Sequence, residues 1–331
     1  MVKHRATTFH SSQFTFHVSQ LTPPTTMSLR RCVSLLLVLT PLIASGQALR
    51  AQRADTASLH RTLEALANAH HGTVGYTVHN LDTGERLERR GDETFSTASL
   101  IKVPVLVTVY DLVRQGMLSL DDPLTLLKID KVQGSGQLQF LHDNAVITVH
   151  DAAWLMSTIS DNTATNLLLD RIIIRRVWET MERLGLPHTK VHSKSFLRIA
   201  SVAMDSSVKY GLGVTTPHEM AHLFALLAEG RAVSPAADSA MLDILAHNED
   251  ATKLQRYVDG LSVPHKTGDT DKVRTECALF PLTTRVVACV LTKDNVDERY
   301  GVDSEAQVMM ASMGRAIVAA WPRRAVPKVS P

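Results

Sequence analysis

The sequence predicts an α+β fold. An antiparallel sheet drawn from both chain ends, flanked by terminal helices in a three-layer α/β/α stack, stands beside an all-helical lobe. Three observations carry this. "TVGYTVHNLDTGERLERR" (73–90) alternates apolar and polar residues around a "DTGE" turn, the pattern of a hairpin. Strand-like runs return at about 262–268, 273–280 and 285–292. Between them, from about 99 to 250, the apolar period is mostly helical, as in "VLVTVYDLVRQG", "VHDAAWLMSTI", "ATNLLLDRIIIRRVWETMERLG" and "TPHEMAHLFALLAEG".

Each end supplies a helix to cover the sheet. Residues 56–69 place Leu59, Leu63 and Leu66 on one face, and 304–321 close the chain with "SEAQVMMASMGRAIVAAW". The α/β lobe is expected over 55–98 and 255–322 and the helical lobe over 99–254, within one domain of 49–331. The junction of two such lobes is a preferred place for a small-molecule cleft.

Residues 1–48 read as an N-terminal extension and export leader outside the fold. "MSLRRCVSLLLVLTPLIASGQA" (27–48) has two arginines, an apolar run, then small residues, with cleavage expected between Ala44 and Gln52. The run is too short to span a bilayer comfortably, so no stable membrane insertion is expected after cleavage. Cys32 begins the run rather than following it, which does not fit a lipoprotein signal. Met27 is the expected start. The layout predicts a secreted or periplasmic protein, and a monomer is expected.

The full chain of 331 residues is 44% hydrophobic and carries a net charge of +2. Removing the four basic residues of the first 48 leaves 31 basic against 33 acidic residues. A near-neutral body offers no electrostatic footprint for nucleic acid. The histidines are scattered and "AHH" (69–71) lacks a third ligand at metal spacing, so no metal and no cofactor is expected. "GSGQ" (134–137) follows no strand and reads as a loop rather than a phosphate cradle. Cys277 and Cys289 lie on two strand-like runs joined near Phe280–Thr284. A cross-strand disulfide and two buried thiols fit equally well.

"FSTASLIKVPVL" (95–106) sets Ser99 one helical turn before Lys102. A serine hydroxyl is a weak nucleophile and needs a base beside it. A lysine serves only if burial or a nearby cation lowers its pKa, and the apolar run around Lys102 supplies burial. An N-capping serine with an exposed lysine produces the same spacing. Two later stretches tip the balance. "SDN" (Ser160, Asp161, Asn162) lies between helical runs, and as an extended link it would project Ser160 and Asn162 to one side. "KTG" (Lys266, Thr267, Gly268) lies in a strand bordering the cleft, where glycine lets a substrate approach the backbone.

SxxK, SDN and KTG in this order, with "SDNTATNLLLDRI" continuing well past the triplet, resemble class A β-lactamases and the related penicillin-binding serine enzymes. The resemblance covers about 55–322 and implies a β-lactamase/D,D-transpeptidase-like fold. It implies that Ser99 attacks the amide carbonyl, that Lys102 takes its proton, and that Ser160 passes a proton to the departing nitrogen. Lys266 would hold Ser160, lower the Lys102 pKa and attract a substrate carboxylate, with Thr267 hydrogen-bonding it. Asn162 would bind the substrate's side-chain amide, and Gly268 would admit the substrate to the strand. The backbone N–H groups of Ser99 and Asp269 would form the oxyanion hole. The substrate is then a β-lactam or a peptidoglycan-like small molecule.

The pattern breaks in one place. Class A enzymes carry a deacylating glutamate on a loop after the SDN region. Here 188–218 contains no glutamate, and its one carboxylate is Asp205, one methylene shorter. Asp205 is the candidate deacylation base, and slow release of the acyl-enzyme is expected. The implied activity is that of a serine β-lactam hydrolase. A D,D-peptidase or esterase, and a β-lactam-binding domain acylated without turnover, are the alternatives.

Overall fold

The computed structural model describes residues 56–321. The expected leader, Met27, Cys32 and the margins of the catalytic domain at 49–55 and 322–331 lie outside the described residues. In chain order the elements are helix α1 (56–69), β1 (Thr73–Asn80), β2 (Arg86–Arg89), β3 (Phe95–Ser96), α2 (Lys102–Arg114), β4 (Pro123–Leu126) and β5 (Ala145–Thr148). Then come α3 (Val149–Thr158), α4 (Asn162–Ile172), α5 (Ile174–Arg183), β6 (Lys190–Val191), α6 (Met204–Tyr210), β7 (Gly213–Thr215), α7 (Pro217–Ala228) and α8 (Pro235–Ala246). The chain closes with β8 (His265–Thr270), β9 (Val273–Pro281), β10 (Arg285–Lys293) and α9 (Glu305–Ala320).

The main sheet has the order β2-β1-β10-β9-β8, antiparallel throughout. Strands from both chain ends therefore lie side by side, with Tyr76 opposite Val290. The two-residue period of a strand sorts its side chains between two cores. On β10, Val286, Ala288 and Val290 pack with Leu59 and Leu63 of α1 and Met310, Met313 and Ile317 of α9. Val287, Cys289 and Leu291 join the other core, with Leu223, Phe224 and Leu227 of α7. Burial on both faces explains why β9 and β10 read as nearly unbroken apolar runs. The paired register sets Cys277 opposite Cys289, and a disulfide joins them.

In the helical lobe, α2 is buried around nearly its whole circumference, so its sequence is apolar all round rather than striped. Pro104 sits in its first turn, where the missing N–H has no intrahelical partner to lose. Helix starts are marked as the chemistry demands. Thr148 and Asp151 form a capping box on α3, and Thr216 and Ser234 cap α7 and α8, each followed by proline at the first helical position.

Two local expectations change. The helical period over 164–185 predicts one helix, but the chain breaks between α4 and α5 at Ile173, whose φ is 67°. That conformation is costly for a β-branched residue. It is outweighed because α5, re-aimed, buries Ile174, Val177 and Met181 in the same core as α2. The lobe also holds short strands, β4 with β5 and β3 with β7 and β6, too brief to show a period of two.

One close approach ties the terminal helix to the segment that feeds β8. A β-carbon on Gly314 of α9 would fall on the backbone of Leu254. Gly314→Ala should therefore cost about 1–3 kcal/mol by overpacking, read as a lowered midpoint in thermal or urea unfolding. An unchanged midpoint would mean that α9 does not press on this segment.

Candidate active site

The chain reaches Ser99 through a strained corner. β3 ends at Ser96; Thr97 donates its N–H to Gly213 O, and Ala98 takes a φ of 45°. A 3₁₀ turn over Ala98–Ile101 follows, anchored by fully buried Leu100 and Ile101, and α2 begins at Lys102. Ser99 thus stands on the turn ahead of the helix rather than within it. Positive φ next to a functional residue is a recurrent form of stored strain. β8 closes on this turn from the side: a β-carbon on Gly268 would lie 2.7 Å from Ser99 N. Thr275 Oγ1, on β9 opposite Gly268, donates to Thr97 O at 2.9 Å and locks the turn to the sheet.

Ser160 and Asn162 meet the same point from the other lobe, though not from an extended link. Ser160 has a φ of 59°, Asp161 is the N-cap of α4, and Asn162 is its first residue. Asp161 does structural work. Its carboxylate accepts from Ala164 N at 2.8 Å and from Gln137 N and Leu138 N at 2.6 and 2.9 Å. That binds the "GSGQ" loop to α4 and forces the corner that turns Ser160 inward.

Lys102, 1% exposed, places Nζ 2.6 Å from Ser160 O, 3.0 Å from Ser160 Oγ and 2.9 Å from Asn162 Oδ1. Lys266, equally buried, reaches the same Ser160 Oγ at 3.2 Å and Thr267 O at 2.9 Å. One hydroxyl therefore bridges two amines. Burial, then the charge of Lys266, hold the Lys102 amine well below its ordinary value, against the pull of Asp161. Burial brings Lys266 down to about 8, with the Asp250 carboxylate opposing. Lys102 Nζ donates to three acceptors, Ser160 O, Ser160 Oγ and Asn162 Oδ1, and Lys266 Nζ donates to the same Ser160 Oγ.

Ser99 is half-buried and lines two cavities that meet at it. One, of about 460 Å³, also contains Ser160, Lys266, Thr267, Gly268 and Asp269. The other, of about 750 Å³, contains Asn162 and the wall formed by 193–212. The structure so gathers Lys102, Ser160, Asn162 and Lys266 within hydrogen-bond reach, with Ser99, Thr267, Gly268 and Asp269 around the same space. Asp205 is not brought in. It lies exposed on α6, while that helix presents Ser207, Lys209 and Tyr210 to the larger cavity. Asn162 Nδ2 is engaged with Gln133 O at 3.2 Å.

Other residues carry no motif. Asn166 clasps the backbone of Ser195 through both ends of its amide, at 3.0 and 2.8 Å, and so fixes the wall of the larger cavity. Lys253, fully buried, joins Asp250 and Asp269 beside the smaller one. Glu276 of β9 holds that segment by accepting from Leu254 N at 2.6 Å and pairing with His265 at 2.8 Å. Nothing in the spacing of 248–254 announces this. Only the turn back into β8 brings it to the site.

A serine, two buried amines and a second hydroxyl around one cleft are the parts of an acyl-transfer centre. The model of the β-lactamase enzyme family matches residues 58–321. The chain belongs to that family. Its fold is the one seen in solved β-lactamases. It is 30% identical to a β-lactamase from Sphaerobacter thermophilus, with a TM-score of 0.71, covering 80% of this chain and 97% of that one. A β-lactamase from Rhodobacter capsulatus is 26% identical over 289 residues, 84% of this chain and 95% of the relative. A mutant of PBP-A with one leucine replaced by glutamate, solved as an acyl-enzyme complex with penicillin G, is 26% identical, with a TM-score of 0.70 over 80% of this chain and 96% of that one. As a member of the β-lactamase family the chain is a serine hydrolase of class A-like type.

The contact between Gly268 and Ser99 N yields a test. Gly268→Ala must displace either β8 or the Ser99 amide, and a shift near 1 Å in an active site costs about a hundredfold in rate. Acylation by a penicillin, followed as mass gain of the intact protein, should slow by at least about that factor. Labelling at the original rate would mean the strand does not define the Ser99 environment.

Proposed function

We propose that this member of the β-lactamase family is an exported enzyme that opens β-lactam amides through an ester on Ser99 and frees that ester slowly. The observation that carries the reading is the Ser160 hydroxyl held between Lys102 and Lys266 next to Ser99. Export is supported by the leader-like run at 27–48 and by the disulfide between Cys277 and Cys289, a bond favoured in oxidising compartments.

In the proposed acylation, the Ser99 proton passes to the neutral Lys102 amine as Oγ bonds to the carbonyl carbon. The N–H groups of Ser99 and Asp269 take the developing oxyanion charge. The carbon–nitrogen bond then breaks, and the proton travels from Lys102 through Ser160 to the departing nitrogen. Lys266 remains cationic, keeps Ser160 oriented and, with Thr267, faces the leaving-group side. Asn162 faces the acyl side chain. Ser99 Oγ has no hydrogen bond among the described residues, in keeping with catalytic contacts that tighten only once substrate is bound.

Release of the ester needs a base for water. The wall formed by 193–212 presents Ser195, Phe196, Arg198, Lys209 and Tyr210 to the larger cavity and contributes no carboxylate to it; the acid in that lining is Asp269, held by Lys253 on the β8 side. Asp205 faces away, so slow release is the reading we favour.

Mixing the mature protein with a chromogenic cephalosporin should give a burst close to the enzyme concentration, followed by slow steady turnover, and Ser99→Ala should remove both. Fast turnover without a burst would contradict the slow-release reading. No reaction, with cleavage of a D-Ala-D-Ala peptide or ester, would favour the peptidase or esterase alternative, and a burst with no later turnover the binding-domain one.

The burst rate should also be bell-shaped in pH. Lys102 acts while neutral, so the rate rises through its lowered pKa. Lys266 acts while charged, so the rate falls through about 8. An acid limb near the ordinary lysine value of 10.5 would mean that the Lys102 pKa is not lowered.

A further inference from the structure

The smaller cavity, the one containing Ser160 and Lys266, has an unusual wall. Asp250, Glu249 and Asp269 all line it, with Thr267 and Tyr300. Behind them Lys253, 0% exposed, donates to Asp250 Oδ2 at 2.8 Å and to Asp269 Oδ2 at 3.1 Å. The two carboxylates are 34% and 25% exposed. Every cation near this wall already has anionic or carbonyl partners. Lys253 is shared between two acids. The Arg274 guanidinium donates to the carbonyls of Thr270, Val273, Glu298 and Arg299, with Asp269 Oδ1 3.4 Å from its Nε. Thr267 gives its hydroxyl to Asp250. Although burial raises the Asp250 carboxyl, Lys253 and these donors hold it below its ordinary range, so it is an anion.

A carboxylate on the leaving-group side of a substrate lying along β8 would meet this wall. Lys266 offers it positive charge, but Asp250 and Asp269 together exceed the single charge of the Lys253 between them, Arg274 lies against Asp269 with its other donors spent on carbonyls, and Glu249 adds a further acid. Like charge at such a site disfavours an anion, and the low dielectric around buried groups strengthens the effect.

We propose that Asp269 is a specificity-determining residue: by pairing with Lys253 beside Asp250 it cancels the positive charge at the leaving-group end of the cleft, tuning the enzyme to substrates that carry a neutral or cationic group there in place of a carboxylate. This rests on the reading that Ser99 is the acylated residue. The side chain of Asp269 acts through charge, and its backbone N–H is a separate matter.

The test compares a carboxylated chromogenic cephalosporin with its neutral methyl ester in wild type and in Asp269→Asn. Asparagine keeps the size and a carbonyl for Lys253 but removes the charge. The readout is the ratio of kcat/KM for the acid to that for the ester, which cancels any general loss of activity. That ratio should rise about tenfold in the variant, mainly through KM of the acid. The gain should shrink as salt is raised. If Asp269→Asn does not fold, Asp250→Asn takes its place, because neutralising either acid removes one negative charge from the group around Lys253. A ratio that stays put or falls, while an adduct on Ser99 still forms, overturns the assignment to Asp269 alone. An absence of any Ser99 adduct with both compounds in wild type overturns the acylation reading and this proposal with it.

Discussion

Two lysines share one serine hydroxyl. Lys102 and Lys266 come from opposite lobes, both are buried, and both reach Ser160 Oγ. Two buried ammonium groups this close to a common oxygen would repel each other at low dielectric. Burial and the charge of Lys266 lower the Lys102 pKa, while its carbonyl and hydroxyl acceptors favour the charged form. That lowering is a consequence of packing. It follows from where α2 starts and where β8 ends.

The rest of the molecule can be understood as holding that triad in place. The five-stranded sheet is capped on one face by α1 and α9 and on the other by α7, which leaves β8 as an edge with one side free to meet the serine turn. Asp161 and the glycine loop push Ser160 inward, and α2, apolar all round, carries Lys102 into the centre of the helical lobe. Strain is kept where it is useful. Ala98 and Ser160 both take positive φ, Ala98 next to Ser99 and Ser160 at the hydroxyl the two lysines share. Outside the triad, charge is handled by a second buried cation, Lys253, whose acidic partners form the wall on the leaving-group side.

Much of this was legible in the chain because its signals are local. The first and last helices, the hairpin at 73–90 and the β9–β10 pair follow from apolar period and turn residues, and they lie within a residue or two of expectation. SxxK, SDN and KTG named the groups at the centre. What was not legible depended on contacts between distant segments. Ile173 breaks a helix that its own residues favour, because α5 has more to bury after the turn. Asp205 looked like the base only because it was the one acid in its loop, and α6 points it to solvent. Asp269 entered the sequence reading only through its backbone N–H, and its side chain finds a buried lysine sixteen residues earlier in the chain.

By itself, then, the amino-acid order determined the fold class and named the serines and lysines that the fold gathers. Each of these is written in short-range spacing: a helical turn, a strand period, a triplet. The tertiary structure alone decided the lowering of the Lys102 pKa, the removal of Asp205 from the cleft and the acidic wall around Lys253. Those are properties of burial and of charges brought together across 16 to 164 residues, and an electrostatic field depends on distance in space rather than along the chain.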